Sequence, residues 1–421
     1  MFRVFFIVCI IVLFQACAVN PVTGEREVSL VSHQEEISIG EQHYLSSQQQ
    51  QGGVYLVDPE LNRYVQEVGA KLAAVSDRKD LPYEFVVLDN DVPNAWALPG
   101  GKIAINRGLL VHLDDEAQLA AVMGHEIVHA AARHGAQKMT QQKMIGAGAA
   151  AATFAAGDSE YAPLIGGGIM GGAALYQAHY GRSQELESDK YGMKYMVAAG
   201  YEPQAAVELQ ETFVKLSGGA KSDMFSALLA SHPPSQERVE KNQQMANKLP
   251  AGKRYRDRYQ KATKQIRIDA PAYSKHIAAS QAASKKDWGQ AQKLVAEAIK
   301  LQPKESLFHI TQGQFYMAQQ QPQKAEASFR KASQLNPQYF ASELGLGAAL
   351  ATQKKDKEAK SALLKSVKLL PTQTAYWQLG GVEERAGNKS KAIEYYQAVA
   401  QAGGELGKAA TAKLGKLNPA Q

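Results

Sequence analysis

His125-Glu126-Ile127-Val128-His129 is the stretch on which the reading of this 421-residue chain turns. It continues Asp114-Asp115-Glu116-Ala117-Gln118-Leu119-Ala120-Ala121-Val122-Met123-Gly124, a run that predicts one helix. Asp114 serves as its N-cap, acids occupy the first turn, and Ala, Leu and Met carry it onward. Two histidines four apart stand one turn apart on the same face, so both imidazoles can reach a single metal ion. The glutamate between them is then placed to act as general base on a polarised water, the arrangement of a zinc peptidase. A helix that carries these three residues by chance is the competing reading. A third ligand decides between them.

Extension toward a third histidine on the same segment requires Gly at position 132 and His at position 135. The chain has Ala132 and Gly135 there. His134 stands on about the opposite face of a continued helix and is expected at the surface or in a second layer. A carboxylate on a later helix remains, and Arg182-Ser183-Gln184-Glu185-Leu186-Glu187-Ser188-Asp189-Lys190-Tyr191-Gly192 supplies it. Glu185 and Asp189 are four apart on a helix that ends at Gly200, so they share a face. Glu185 completes a His/His/Glu set with the fourth position left to water. Asp189 can accept a hydrogen bond from a liganding imidazole and fix its tautomer. Glu187 turns elsewhere and is expected in solvent.

Ser231-His232-Pro233-Pro234-Ser235-Gln236-Glu237-Arg238 is a third signal, in which two prolines stiffen a loop and start a helix. Two readings stand side by side. In one, His232 meets the metal's open position or a transition-state oxygen and Arg238 steadies the oxyanion. In the other, the segment is an ordinary helix start with a solvated histidine.

The chain is too long for one core and predicts two or three domains. Residues 1–17 hold one cation, Arg3, the apolar run Val4 to Phe14, and Gln15-Ala16-Cys17. The run is too short to span a bilayer and reads as a signal-peptide core. Ending in Ala-Cys, it resembles a bacterial lipoprotein signal, with Cys17 lipidated after cleavage. Cys9 is removed with the signal, so no cysteine pair remains for an intramolecular disulfide. Ser32 to Glu35 is a capping box, Asp58-Pro59 starts a second helix, and Tyr83 to Leu88 reads as a strand. Trp96 to Leu98 and Lys102 to Asn106 flank Pro99-Gly100-Gly101 as a hairpin whose edge can accept an extended peptide, with Trp96 in the core. Residues 144–176 are rich in Gly and Ala and are read as a mobile loop or helical hairpin that forms a lid over the site, each apolar piece being short of a membrane span.

From Ala251 onward there are 28 Lys+Arg against 13 Asp+Glu, whereas the preceding part is acidic. Pro303, Pro337 and Pro371 recur every 34 residues, as do Ala291, Ala325 and Ala359. Tyr316, Phe329 and Trp377 take the large positions of that period, which is the tetratricopeptide signature, with about four repeats. The expected division is a peptidase domain over 18–265 and an all-α tetratricopeptide solenoid over 272–421. Stacked helix pairs make a concave surface for extended peptides or partner proteins. Few aromatics interleave the lysines and the chain carries an export signal, so nucleic acid is excluded as a partner. Acidic protein segments or anionic headgroups suit the basic excess.

Asn94-Ala95-Trp96-Ala97-Leu98-Pro99-Gly100-Gly101-Lys102-Ile103-Ala104-Ile105, then Gly108-Leu109-Leu110, the H-E-x-x-H, Glu185-x-x-x-Asp189 and His232-Pro233 form an ordered set. The set resembles the gluzincin family that contains the CaaX prenyl proteases and the heat-shock protease HtpX. The resemblance covers nearly the whole chain after the signal. It implies an α+β zincin-type metallopeptidase domain, mainly helical with a small sheet. It implies His125, His129 and Glu185 as ligands of one Zn2+ per chain and Glu126 as catalytic base. It further implies that His232 can occupy the metal's open position and hold the enzyme latent. The multiple spans of the prenyl-protease branch are absent, so CaaX processing is not expected. With the repeats appended, the set is most similar to periplasmic members that act in outer-membrane protein assembly. That implies unfolded or misassembled outer-membrane proteins as substrates, the β-barrel assembly machinery as a partner of the repeats, and a lipid anchor on Cys17. A chaperone or assembly scaffold with a latent or secondary peptidase site is the alternative.

Overall fold

The computed structural model describes residues 17–156, 180–217 and 222–417. The expected signal peptide, but for Cys17, and residues 157–176 of the expected lid lie outside them. Two compact units form: residues up to Gln51 together with Pro59–Lys264, and Gly52–Asp58 together with residues from Gln265 on. Among the described residues no helix is long and apolar enough to cross a membrane.

The first unit opens with a two-stranded antiparallel hairpin, β1 (Cys17–Val19) and β2 (Arg26–Val28). Helix α1 (His33–Gln50) begins at the reciprocal cap of Ser32 and Glu35, and α2 (Pro59–Ala73) follows. Strands β3 (Glu84–Leu88), β4 (Ala95–Leu98) and β5 (Lys102–Asn106) form one sheet in the order β3-β5-β4, with β3 parallel and β4 antiparallel to β5. Gly100 and Gly101 turn the β4–β5 hairpin at φ +78° and +84°, a region open to glycine and strained for other residues. Trp96 is buried and meets Tyr44 edge-on at 6.2 Å.

A short α3 (Arg107–Leu110) leads to α4 (Glu116–Ala131), every residue of which is buried. Its N-cap is Asp115, whose carboxylate accepts the Gln118 N–H at 3.0 Å, one residue beyond the expected Asp114. Asp114 instead donates its backbone N–H to the Gln118 side chain at 2.9 Å. Around α4 pack α2, β4, α6 (Arg182–Ala198) and α7 (Gln204–Ser217). Helices α8 (Ser222–Ser231), α9 (Gln236–Ala246) and α10 (Arg256–Ala262) complete the run, and α11 (Lys264–Ile268) falls at the boundary of the second unit. Helix α5 (His134–Ala156) takes in residues 144–156 of the stretch expected as a mobile loop or helical hairpin.

Helices α4 and α6 cross at a glycine pair. A Cβ on Gly192 would lie 2.9 Å from the His125 backbone nitrogen and 3.0 Å from the Gly124 carbonyl carbon, and neither can move aside. The two backbones therefore approach as closely as glycine permits, which brings side chains of α4 and α6 into one buried layer. Gly192→Ala is expected to cost about 1–3 kcal/mol through overpacking. Chemical denaturation of the metal-free protein measures it, and an unchanged midpoint would contradict the close crossing.

In the second unit, helices α12 (Ala270–Ser284), α13 (Trp288–Leu301), α14 (Ser306–Ala318), α15 (Pro322–Leu335), α16 (Phe340–Thr352), α17 (Asp356–Leu369), α18 (Gln373–Arg385), α19 (Lys389–Gln401) and α20 (Gly404–Leu417) pack in sequence order. The first helices of successive pairs also touch, which is the stacking of a helical solenoid. The 34-residue period has a direct cause. Phe329 of α15 fills the space left by Gly313 of α14, where a Cβ would stand 2.8 Å from its ring. Pro303, Pro337 and Pro371 each follow the residue that ends a second helix, Gln302, Asn336 and Leu370. The expected architecture, a mainly helical α+β unit followed by an all-α repeat region, holds.

Candidate metal centre

Spacing within single helices places the first components. On α4, His125 and His129 stand one turn apart and their Nε2 atoms approach to 3.0 Å. On α6, Glu185 and Asp189 share a face, with Glu185 Oε1 3.4 Å from His129 Nε2 and Glu185 Oε2 3.5 Å from His125 Nε2. The loop from α8 to α9 adds His232, whose Nδ1 lies 3.2 Å from both His125 Nε2 and Glu185 Oε1. One ligand atom each from His125, His129, Glu185 and His232 falls within 4.8 Å of the others, and all four residues are buried. His232 is thus inside the cluster and not in solvent.

Three ring nitrogens and a carboxylate that converge in this way are a donor set for a small cation of the Zn2+ type. Glu126, Glu185 and Asp189 are buried carboxylates, and Arg238 is a buried guanidinium beside them. A divalent cation would offset the carboxylate charge that Arg238 leaves. Among the described residues, one oxygen of Glu126, Oε2, is buried without a hydrogen-bond partner, while Oε1 lies 3.5 Å from His232 Nε2. Burial raises the Glu126 pKa against the opposing pull of His232 and His125. Burial alone would depress His125, but Glu185 and Asp189 outweigh it and lift its pKa to about 10. Burial pushes His129 well below its usual value.

Asp189 lies 3.0 Å from His125 Nδ1, so that imidazole turns Nε2 inward. Arg238 departs from the expectation of an oxyanion donor. Its Nε and Nη2 each donate to Asp189 at 2.7 Å, Nη1 lies 2.7 Å from Glu185 Oε2, and Nη1 also donates to the Pro233 carbonyl at 3.1 Å. The guanidinium is occupied by Asp189 and by Glu185 of the converging set.

Sequence reasoning missed Glu187 and Tyr180 and left His134 between the surface and a second layer. Helix α4 stops at Ala131, and Arg133 takes a left-handed conformation at φ +64° before α5 starts at His134. The break swings His134 back toward the cluster, where its Nδ1 lies 2.8 Å from His129 Nδ1. Glu187 is not in open solvent: it accepts from Asn20 Nδ2 at 3.0 Å and faces His134. Tyr180 stacks on the His129 ring at 3.7 Å between centroids, inclined by 19°. No local signal marked them, since each depends on a chain break or on a distant partner.

Known proteins place this geometry. The model of peptidase family M48 matches residues 59–246, and that of the tetratricopeptide repeat matches residues 308–339. The chain is similar to the beta-barrel assembly-enhancing protease of Escherichia coli, at 28% identity over 54% of this chain and 47% of that one. It is similar to the mitochondrial metalloendopeptidase OMA1 of Schizosaccharomyces pombe, at 32% over 42% of this chain and 51% of that one. It is also similar to the metalloprotease YcaL of Escherichia coli, at 32% over 40% of this chain and 62% of that one. The chain spans less than half the length of the beta-barrel assembly-enhancing proteases it matches. With the H-E-x-x-H helix, the carboxylate helix and the repeat helices in that order, the chain carries a peptidase family M48 domain followed by tetratricopeptide-repeat helices.

Proposed function

We propose that the chain is a zinc-dependent endopeptidase with His125, His129 and Glu185 as metal ligands and Glu126 as general base. The observation that carries this reading is the buried convergence of His125, His129, Glu185 and His232 beside the unpartnered Glu126 oxygen. Bound zinc supplies the Lewis acid that polarises a carbonyl and acidifies water. Glu126 accepts the proton of the attacking water and passes it to the leaving amine, a role suited to a carboxylate whose pKa burial has raised. Asp189 fixes the His125 tautomer through Nδ1. Arg238 acts as a positioning residue that neutralises Asp189 and Glu185.

The site of action follows from the N-terminal sequence and from the relatives. The signal-like segment before Cys17 supports export to the periplasm and an anchor in the outer membrane through lipidated Cys17. Similarity to the beta-barrel assembly-enhancing protease supports unfolded or misassembled outer-membrane proteins as substrates, with the repeats gripping the β-barrel assembly machinery. Domain limits of 18–265 and 272–421 accord with this division of labour.

A second reading has an observation of its own. His232 stands as near as the other donors and completes a four-residue set, which fills the place a water would take. This supports a peptidase that rests in a latent state while the chain works as a chaperone or assembly scaffold. Zinc content and casein cleavage of the wild type and His232→Ala separate the two. One zinc per chain and faster cleavage by His232→Ala are expected of a latch. Slower cleavage would assign His232 to the transition state, and loss of zinc together with folding would make the centre structural.

A further inference from the structure

His134, which no role in the proposed reaction absorbs, is fully buried and placed by a strained turn. We propose that His134 is the positioning residue of His129, holding the ring so that Nε2 faces the metal, and that Glu187 and Asn20 hold His134 in turn. This rests on the zinc-centre reading above.

The atoms allow one arrangement of protons that suits it. Two ring nitrogens 2.8 Å apart share a single hydrogen. For His129 to offer the Nε2 lone pair, its proton sits on Nδ1 and is donated to His134 Nδ1. His134 then carries its own proton on Nε2, which faces Glu187 Oε1 across 3.4 Å, within charge-pairing distance but short of an aligned hydrogen bond. Asn20 Nδ2 donates to the same oxygen at 3.0 Å and directs it. The series Asn20, Glu187, His134, His129 is therefore a carboxylate–histidine support with one imidazole interposed. His125 has the shorter version, with Asp189 in direct contact and Arg238 behind it. The two histidines are thus held by separate supports, each of which takes its carboxylate from α6.

The backbone reveals how much structure is devoted to this placement. A left-handed non-glycine residue costs on the order of 1 kcal/mol. Arg133 is held there by Glu36, to which its Nε donates at 2.6 Å, and by the Val31 carbonyl, to which Nη2 donates at 2.6 Å. Were the helix to continue through this point, His134 would point away from His129.

The test uses the full chain, with zinc affinity read by chelator competition and the visible spectrum of the Co2+-substituted protein as a second readout. His134→Leu is expected to raise the zinc Kd on the order of 10- to 100-fold and to move the cobalt bands. His134→Gln, whose carboxamide oxygen can accept from His129 Nδ1, should recover much of the affinity. Glu187→Ala, at a side chain 21% exposed, should shift both readouts in the same direction by less. Wild-type affinity and spectrum in His134→Leu would overturn the proposal, as would His134→Gln behaving like His134→Leu. Should His134→Leu fail to fold, unchanged readouts in Glu187→Ala overturn it instead. A wild-type chain that binds no stoichiometric zinc would sink the zinc-centre reading itself, a failure visible before any variant is compared.

Discussion

Glu126→Gln is expected to lower casein hydrolysis by about 10²- to 10⁴-fold while zinc content stays at the wild-type value. Glutamine matches the shape of Glu126 but cannot take a proton from water, and Glu126 lies outside the set proposed as ligands. The buried, partnerless Oε2 marks a carboxylate kept in place at a cost to folding, since an uncharged group there would not bear the desolvation penalty. Glu126→Gln is accordingly expected to be at least as stable as wild type. Hydrolysis assays, metal analysis and denaturation on one preparation test the three statements together. A Glu126→Gln protein that cleaves casein at the wild-type rate, free of contaminating protease, would sink the assignment of the general base. A protein that loses zinc as well would move Glu126 among the ligands.

Arg238→Leu should produce the second large effect, on stability. The guanidinium is buried and engages Asp189 with two donors and Glu185 with a third. Removing it leaves two carboxylates buried against each other with one cation fewer. Loss of one partner from a buried charge group costs on the order of 3–5 kcal/mol, well above what an exposed ion pair contributes. The loss is expected to be greatest without metal, because bound zinc would itself offset part of the negative charge. Denaturant titration of the metal-free and zinc-loaded forms measures both numbers. A drop of less than about 1 kcal/mol in the metal-free form would mean that water or protonation already compensates these carboxylates. Zinc affinity should fall in the same variant, since Asp189 would no longer be held against His125.

Legibility differed by the kind of relation involved. His125 and His129, and likewise Glu185 and Asp189, are pairs within one helix, and 3.6 residues per turn is enough to put each pair on one face. The repeats were equally open, because small residues opposite Phe329 must recur at the period with which helix pairs stack. The N-cap of α4 was off by one, since Asp114 and Asp115 both suit a cap and only the hydrogen bond to Gln118 distinguishes them. Arg238 was read as an oxyanion donor on a helix started by the prolines, whereas Ser235 caps that helix and Asp189 and Glu185 take up the guanidinium's donors.

Local spacing and composition alone determined which helices carry the metal-binding side chains, that a helical repeat region follows, and that a cation of the zinc type suits the donors. Only the tertiary structure decided how those side chains are held. Arg133 turns the chain at φ +64° because Glu36 and Val31, about a hundred residues earlier, bind its guanidinium. That turn sends His134 back to His129 and brings Glu187 to His134. A residue's helical phase is a local property and survives in the sequence, whereas a helix break is set by the competition between local propensity and distant contacts. The residues proposed as ligands belong to the first kind of information, and the residues around them to the second.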